Sequence, residues 1–296
     1  MFPINCMQQL IANLTSIQNE HTLQGLTPVV ISHFQVAILE YYQENARVFP
    51  WRETPEPYAV MVSEIMLQQT QADRVVPKFL AFLEAFPTPL VLSNASTPDL
   101  LGLWQGLGYN RRALNLRRTA EVLVKEYNGK IPSDLQQLLA LPGIGPYTAG
   151  AIRAFAFDLP SSVIDTNIRR VYLHVFFPDR EKVTDKELVP YIEATLYKPS
   201  SRYWYSALMD IGHLLPKHVG NANTRSRHYA RQGPLVGSNR EVRGMLITLL
   251  TSIKTINCTL LPKSLDLPIE RINPAVTQLL TEGFLEQHGD VLHLAE

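Results

Sequence analysis

Segment 141–150 constrains the fold of this chain more than any other feature of its sequence. It reads Leu-Pro-Gly-Ile-Gly-Pro-Tyr-Thr-Ala-Gly, so Gly143 and Gly145 stand one residue apart between an apolar helix end and the start of a new helix. Glycine leaves the backbone amides open to an anion, and the N-terminus of the following helix adds partial positive charge. The segment predicts two helices joined by a phosphate-binding turn, with a plain connection between helices as the alternative.

Most of the remaining sequence also predicts helix, because apolar residues recur at spacings of three and four. The clearest runs are 30–42, 58–83, 113–127 and 147–157. Ser96-Thr97-Pro98-Asp99 before Leu100 and Ser133-Asp134 before Leu135 can cap two further helices, since short polar side chains accept hydrogen bonds from the free amides of a first turn. We therefore expect an all-α fold of short helices and tight loops.

Length and composition bound the class of protein. The 296 residues suffice for two or three compact units. We expect no membrane span and no secretion signal, because the chain has no uninterrupted apolar run of about 18 residues and no basic residue among its first twenty. The two cysteines, Cys6 and Cys258, indicate a reducing cytoplasm rather than a disulfide framework.

The charge balance gives no general indication of a nucleic-acid partner. Lys and Arg number 27, as do Asp and Glu, whereas binding to phosphates usually requires surplus positive charge. A local basic patch remains, and a solvated helix face is its alternative interpretation. Its members are Arg111, Arg112, Arg117 and Arg118.

Two acidic residues, Glu64 and Asp165, lie in sequence surroundings that allow a catalytic role. Glu64 lies in the apolar run 60–67, and burial lets a carboxylic acid keep its proton near neutral pH. Asp165 follows an apolar pair and precedes a predicted helix about 20 residues after the glycine turn. Taken alone, Asp165 is more readily interpreted as an N-cap, and Glu64 could be an exposed helix residue.

Several ordered motifs carry a resemblance that extends from about residue 30 to 215. They are Phe49-Pro50-Trp51-Arg52, Pro57-Tyr58, Val62-Ser63-Glu64-Ile65-Met66-Leu67-Gln68-Gln69-Thr70-Gln71, Trp104-Gln105-Gly106-Leu107-Gly108-Tyr109, Arg112 with Asn115-Leu116, and the glycine turn followed by Asp165. The chain resembles the helix-hairpin-helix superfamily of DNA glycosylases, and within it the MutY-type adenine DNA glycosylases. That resemblance implies two helical subdomains with the active-site cleft between them.

The resemblance assigns catalytic roles. Glu64 would protonate adenine at nitrogen 7 and later activate or position water. Asp165 would stay ionised and stabilise positive charge on the sugar, with a transient covalent link as a variant of this role. Tyr147 and Asn167 would line the pocket, with core packing and helix capping as their alternatives. Relatives that also cut the backbone carry Lys where this chain has Tyr147, so we expect base removal without strand cleavage.

The resemblance also assigns contacts to double-stranded DNA. Gln69, with Gln68, would fill the gap left by the extruded base, although both could be ordinary surface amides. Arg52 would support the carboxylates or bind a phosphate. The full set of expected DNA-binding residues is Arg52, Gln68, Gln69, Tyr109, Arg112, Gly143 and Gly145. Hairpins of this kind often hold a monovalent cation, which we include as an expectation.

The chain departs from the family in three places. Typical members bind a [4Fe-4S] cluster through four cysteines after the region of residues 207–212, and none is present here. Basic residues occupy that stretch, and we expect them to replace part of the DNA contact; they are Lys217, His218, Arg225, Arg227, His228 and Arg231. Asn110 stands where the family usually has a second aromatic residue. The tail after Arg240 is too short for the Nudix-like domain that recognises oxidised guanine in many members.

The sequence thus predicts an N-terminal extension (1–27), a helix-hairpin-helix glycosylase domain (28–216), a basic linker in place of the iron-sulfur loop (217–239) and a winged-helix-like C-terminal module (240–296). In this last module, apolar residues at helical spacing over 241–252 and 267–282 predict two helices, and 284–286 with 291–294 around a His-Gly-Asp turn predict a terminal hairpin. We expect a cluster-free, monomeric adenine glycosylase acting on adenine opposite 8-oxoguanine or guanine, in the cytoplasm and associated with the nucleoid. The alternatives are a mismatch thymine or uracil glycosylase of the same superfamily, and a non-catalytic protein that binds mismatched DNA.

Overall fold

The computed structural model describes residues 4–230 and 233–295. Over those residues it has seventeen α-helices and three short strands, in the following chain order: α1 (Ile4–Gln24), α2 (Pro28–Asn45), α3 (Pro50–Glu53), α4 (Pro57–Leu67), α5 (Ala72–Ala85), α6 (Pro89–Ser93), α7 (Thr97–Trp104), α8 (Arg111–Tyr127), α9 (Leu135–Ala140), α10 (Pro146–Phe157), α11 (Thr166–Phe176), α12 (Asp185–Thr195), α13 (Ser201–Leu214), α14 (Pro216–Val219), α15 (Asn239–Ile253), β1 (Thr255–Asn257), α16 (Leu261–Leu265), α17 (Ile269–Thr281), β2 (Leu285–His288) and β3 (Val291–Leu294). The predicted fold class, helical with a small C-terminal α+β region, is confirmed.

The chain divides into two compact units. The first contains the described residues up to Glu64 together with Pro132–Ala140 and Ile144–Ala230. The second contains Ile65–Ile131, Leu141–Gly143 and the described residues from 233 onward. Both Glu64 and Asp165 therefore belong to the first unit.

An aromatic cluster forms the centre of the first unit. The ring of Phe34 in α2 makes edge contacts with Tyr172 at 5.7 Å, with Phe176 at 5.0 Å and with Trp204 at 5.7 Å between ring centroids. Tyr172 and Phe176 lie on α11, and Trp204 lies on α13. Burying an aromatic ring stabilises a fold by about 1.5–3 kcal/mol. The cluster therefore holds α2, α11 and α13 together and so fixes the position at which α11 begins.

Helix α1 belongs to the same core. Leu10, Leu14 and Ile17 are buried, and their spacing of three and four places them on one helix face. The ring of His21, in the last turn of α1, contacts Phe176 edge-on at 5.2 Å. The part of the predicted N-terminal extension that the structure describes thus packs into the first unit.

Helix starts follow the predicted capping chemistry. The Oγ of Ser96 accepts a hydrogen bond from the Asp99 amide at 3.2 Å. The Oδ1 of Asp134 accepts hydrogen bonds from the amides of Gln136 and Gln137, each at 3.0 Å. Both predicted caps are confirmed, and each satisfies amides that lack a partner within their helix.

The expectation of one helix over 58–83 is wrong. Helix α4 ends at Leu67 and α5 begins at Ala72, and between them Gln69 takes a left-handed backbone with φ of 57°. Apolar spacing continues across the break, so periodicity alone does not reveal it. The carbonyls that end α4 are bound instead by a side chain distant in sequence, that of Arg112.

The C-terminal region packs within the second unit, where α15 contacts α7. Strand β3 lies between β1 and β2 and pairs antiparallel with both, and Ile256 stands opposite Leu292. The two helices and the terminal hairpin predicted from sequence are confirmed. Strand β1 and helix α16 were not predicted, because elements of three and five residues are too short to show a period.

Segment 217–239, predicted as a basic linker, contains short elements among its described residues, 217–230 and 233–239. Helix α14 reaches Val219, a 3₁₀ turn follows at Ala222–Arg225, and Ser226 forms a bridge with Val183. Ala222 and Asn223 are buried. Polar side chains make this possible, because they satisfy backbone groups without regular secondary structure. None of the helices among the residues described here is long and apolar enough to span a bilayer.

Candidate active site

Glu64 is a buried carboxyl group in the first unit. It lies one turn before the end of α4 and is only 4% exposed. Burial raises the pKa of Glu64 to about 7. The hydrogen bond from Tyr147 lowers this pKa, the negative charge of Asp165 raises it, and the positive charge of Arg52 lowers it more weakly. A carboxyl with such a pKa is protonated in about half of the molecules at neutral pH, as a general acid requires.

Tyr147 connects the glycine turn to Glu64. It is the second residue of α10, and its hydroxyl donates a hydrogen bond to Oε2 of Glu64 at 2.8 Å. Burial and the nearby charges of Glu64 and Asp165 raise the pKa of Tyr147 well above its ordinary value. The phenol therefore remains a hydrogen-bond donor at every pH at which the protein would work.

Asp165 forms the N-cap of α11. Its Oδ1 accepts a hydrogen bond from the Ile168 amide at 2.6 Å, and its Oδ2 accepts one from Nδ2 of Asn167 at 3.2 Å. Burial raises the pKa of Asp165, while hydrogen bonds from Ile168 and Asn167 oppose that shift. Asp165 is thus both a cap and a carboxylate whose anion accepts two hydrogen bonds, whereas Glu64 accepts one, from Tyr147.

Arg170 and Gly212 hold Asn167 in place. The Arg170 guanidinium donates to Oδ1 of Asn167 at 3.0 Å, to the carbonyl of Gly212, and to Oδ1 of Asn221 at 3.2 Å. A Cβ atom on Gly212 would lie 2.2 Å from the carbonyl oxygen of Asn167. Only glycine permits this approach of α13 to the start of α11, where Asp165 lies.

Arg52 forms a buried ion pair. Its guanidinium donates two hydrogen bonds to the carboxylate of Asp210, at 2.8 and 2.9 Å, and one to the carbonyl of Arg47 at 2.9 Å. The Arg52 side chain is 17% exposed and that of Asp210 is 2% exposed. The positive charge also lowers the pKa of Glu64. Arg52 therefore binds Asp210 and lies near enough to Glu64 to affect its pKa. Its contact with DNA stays a prediction.

In the second unit, Arg112 closes the end of α4. Its guanidinium donates to the carbonyls of Ile65, Met66 and Gln68 at 2.7–2.8 Å, and further donates to those of Leu107 and Gly108. These contacts give Arg112 a structural role beside its expected DNA contact. They hold the chain at the point where Gln68 and the exposed Gln69 follow α4.

The other expected DNA-binding residues lie in turns. Tyr109 is 40% exposed with φ of 48°, and its hydroxyl accepts a hydrogen bond from Arg240 at 3.2 Å. Gly143 has φ of 74°, and a Cβ there would lie 2.8 Å from the Asn115 side chain. Gly145 is the N-cap residue of α10. The predicted turn between two helices is confirmed, and a cation at this turn stays a prediction.

Comparison with known proteins identifies the family. A sequence profile of the HhH-GPD superfamily base excision DNA repair proteins matches residues 62–193. The adenine DNA glycosylase of Mycolicibacterium smegmatis is 32% identical over 277 residues, which are 86% of this chain and 93% of that protein. The chain belongs to the adenine DNA glycosylase family.

Other relatives agree with this family of base excision repair enzymes, which act on N-glycosyl bonds. The adenine DNA glycosylase of Buchnera aphidicola subsp. Baizongia pistaciae is 39% identical over 184 residues, and the match covers 62% of this chain. The chain spans about half of that relative, 52% of its length. Among solved structures, a thermostable thymine-DNA glycosylase aligns with TM-score 0.55 and 26% identity, covering 62% of this chain and 85% of that one.

The [4Fe-4S] cluster implied by the family does not fit the residues of this chain. Such a cluster is held by four cysteine thiolates, and these 296 residues contain two cysteines. Cys6 lies in α1, in the first unit, and Cys258 lies in the C-terminal region of the second. The donor set is therefore insufficient.

The basic segment is partly exposed. Lys217, His218, Arg227 and His228 are exposed, as a contact with phosphates requires. Arg225 is half-buried, and its guanidinium donates to the carbonyl of Leu173 at 2.9 Å, so it supports α11, and the DNA contacts of these residues stay a prediction. Arg231 lies outside the described residues.

Sequence reasoning missed four residues that support the site: Asp210, Arg170, Gly212 and Asn221. Asp210 gave one usable signal, because it is a lone carboxylate within the apolar run 207–211 and a buried charge needs a partner. That its partner is Arg52, 158 positions away in the sequence, no local pattern could indicate.

Proposed function

We propose that the chain hydrolyses the N-glycosidic bond of adenine mispaired with 8-oxoguanine or guanine and leaves an abasic site. Membership of the adenine DNA glycosylase family supports the reaction class. The observation that carries the proposal is the 2.8 Å hydrogen bond from Tyr147 to Glu64, a buried acid of pKa about 7 whose pKa the nearby charge of Asp165 also raises. When two carboxyl groups lie in different surroundings, one can act as the acid while the other acts as the anion.

In the proposed reaction, protonated Glu64 gives its proton to nitrogen 7 of adenine. The bond between C1′ and N9 then breaks, and its electron pair leaves with the base, so that adenine departs neutral. The sugar becomes positively charged, and ionised Asp165 stabilises it electrostatically. Water adds to C1′ and transfers a proton to the Glu64 carboxylate, which regenerates the acid.

Tyr147 determines how far the reaction proceeds. A lysine at this step could attack the sugar and form a Schiff base that leads to strand cleavage. The phenol of Tyr147 has no amine and is bound to Glu64. We therefore infer a monofunctional enzyme, which removes the base and leaves the strand intact.

The substrate in this proposal is double-stranded DNA bound by a monomer. The amides beside Gly143 and Gly145 bind a phosphate, with a monovalent cation between turn carbonyls and that phosphate. Gln69, with Gln68, fills the gap left by the extruded adenine. Such an enzyme needs no iron-sulfur cluster and would be found with the nucleoid in the cytoplasm.

A second candidate function is removal of thymine or uracil opposite guanine. It is favoured by the structural similarity to a thermostable thymine-DNA glycosylase, at TM-score 0.55 and 26% identity. A protein that binds mismatches without catalysis is the third. One assay separates them, with duplexes that carry A opposite 8-oxoguanine, A opposite G, and T or U opposite G, each followed by alkali.

We expect alkali-dependent cleavage at adenine in the first two duplexes and none at T or U. Cleavage only at T or U would establish the second candidate. Tight binding without release of any base would establish the third. Strand cleavage without alkali would contradict the monofunctional assignment based on Tyr147.

A further inference from the structure

Three potential metal ligands share one face of the C-terminal hairpin. Glu286 and His288 lie two residues apart on β2, and side chains two apart in a strand point to the same face. His293 on β3 stands directly opposite Glu286 in the antiparallel register. One ligand atom from each of the three lies within 4.8 Å of the others.

The distances within this cluster are symmetric. The Nε2 atoms of His288 and His293 each lie 4.0 Å from Oε2 of Glu286. The two imidazole rings are nearly parallel, with an interplanar angle of 3° and centroids 5.1 Å apart. Ligand atoms around tetrahedral zinc are about 3.3 Å apart, given metal–ligand bonds of about 2.0–2.1 Å. Closing the site requires side-chain rotations that shorten the present separations of up to 4.8 Å to about 3.3 Å.

The hydrogen bonding of His293 favours a metal ligand. Its Nδ1 lies 3.0 Å from the carbonyl oxygen of Leu294. A carbonyl only accepts hydrogen bonds, so Nδ1 carries a hydrogen, and in that tautomer Nε2, 4.0 Å from Oε2 of Glu286, is the nitrogen that can bind a metal. Histidine ligands in metalloproteins typically donate their second nitrogen in this way, which fixes the ring and its tautomer.

We infer that Glu286, His288 and His293 form a binding site for one divalent transition-metal ion of the zinc class. Two imidazoles and a carboxylate suit zinc, whereas magnesium and calcium prefer oxygen ligands alone. The side chains are 51%, 77% and 25% exposed in that order, which leaves the fourth position to water. The site joins β2 to β3 and is separate from the proposed chemistry at Glu64, so its role is structural.

Calorimetric titration of zinc chloride into the metal-stripped full chain tests the site. We expect one ion per chain, no heat from magnesium chloride, and a higher unfolding temperature in zinc, because an ion that binds only the native state stabilises it. His288→Gln and His293→Gln should each lower zinc affinity by about tenfold or more. The control His228→Gln removes an exposed histidine outside the cluster and should leave affinity unchanged.

Cys258 needs its own control, since its backbone amide contacts Asp290 at the hairpin turn and a thiolate also binds zinc. Cys258→Ser should bind zinc as the parent does. Absence of binding by the parent, or equal affinity in the parent and both histidine variants, would overturn the proposal. Loss of binding in Cys258→Ser alone would overturn it as well. If His293→Gln proves unstable in chelator, His288→Gln decides, because His288 is largely exposed.

Discussion

The hydroxyl of Tyr147 donates a 2.8 Å hydrogen bond to the carboxyl of Glu64, across 83 positions of sequence. This contact ties α10, which follows the glycine turn, to the buried end of α4. A donor on that oxygen stabilises the ionised form of Glu64, while burial favours the protonated form more strongly. The balance leaves the pKa of Glu64 at about 7, and the proposed chemistry depends on that balance.

The pH dependence of base release should therefore reflect the ionisation of Glu64. Release requires protonated Glu64, so the single-turnover rate should fall as pH rises through about 7. In Tyr147→Phe the anion loses its donor, the pKa of Glu64 rises, and the descending limb should move upward by about one pH unit. Rates measured from pH 5.5 to 9 test this, and an unchanged limb in Tyr147→Phe would disprove the coupling.

The Arg52–Asp210 pair should contribute strongly to stability. Replacing Arg52 by Met leaves Asp210 charged and buried without its partner, which destabilises a protein by about 3–5 kcal/mol. The control is Arg180→Met, which breaks an exposed pair with Glu187 in the same unit and should leave unfolding nearly unchanged. Urea denaturation measures both, and equal midpoints for the two variants would contradict the burial argument.

Gly212→Ala should disturb the start of α11. The added Cβ would meet the Asn167 carbonyl at 2.2 Å, and overpacking of this kind destabilises by about 1–3 kcal/mol or more. Base release should slow as well, because a shift of Asn167 would also displace Asp165, whose carboxylate accepts a hydrogen bond from the Asn167 side chain. Gly244→Ala, in a helix with open space around it, should instead raise stability by up to about 1 kcal/mol. Thermal unfolding of both variants checks the pair, and a stabilised Gly212→Ala would refute the close approach.

Arg225 and Arg227 should behave differently although they lie two residues apart. Arg225→Ala loses the hydrogen bond to Leu173 and should reduce stability by about 1–3 kcal/mol. Arg227 is exposed, so Arg227→Ala should keep stability and reduce the slope of log affinity for duplex DNA against log salt by about 0.9. A salt slope equal to that of the parent would show that Arg227 binds no phosphate.

The helical fold could be predicted because its signals are local, whereas the roles of Glu64 and Asp165 were predicted from a resemblance carried by several motifs between residues 30 and 215. Capping residues such as Ser96 and the paired glycines at 143 and 145 act within one turn, and a sequence shows them directly. The break after Leu67 could not be predicted, since it depends on the Arg112 guanidinium reaching the carbonyls at the end of α4.

The residues that hold the site in place could not be predicted for the same reason, because their partners are distant in sequence. Arg170 binds the Gly212 carbonyl and the Asn221 side chain, which lie 42 and 51 positions away. The sequence leaves Asp165 as a helix cap or a reactive carboxylate; the structure confirms the cap, and the catalytic role stays a proposal. Its Oδ1 caps α11 while its Oδ2 is bound by Asn167.

The central claim is that Glu64 and Asp165 perform adenine excision. Its most direct test is single-turnover adenine release from a duplex with A opposite 8-oxoguanine, by the parent, Glu64→Gln and Asp165→Asn, with DNA affinity measured beside it. We expect each variant to lose release while its affinity stays within about tenfold, or roughly 1.4 kcal/mol. Release by either variant near the parent rate would contradict the account.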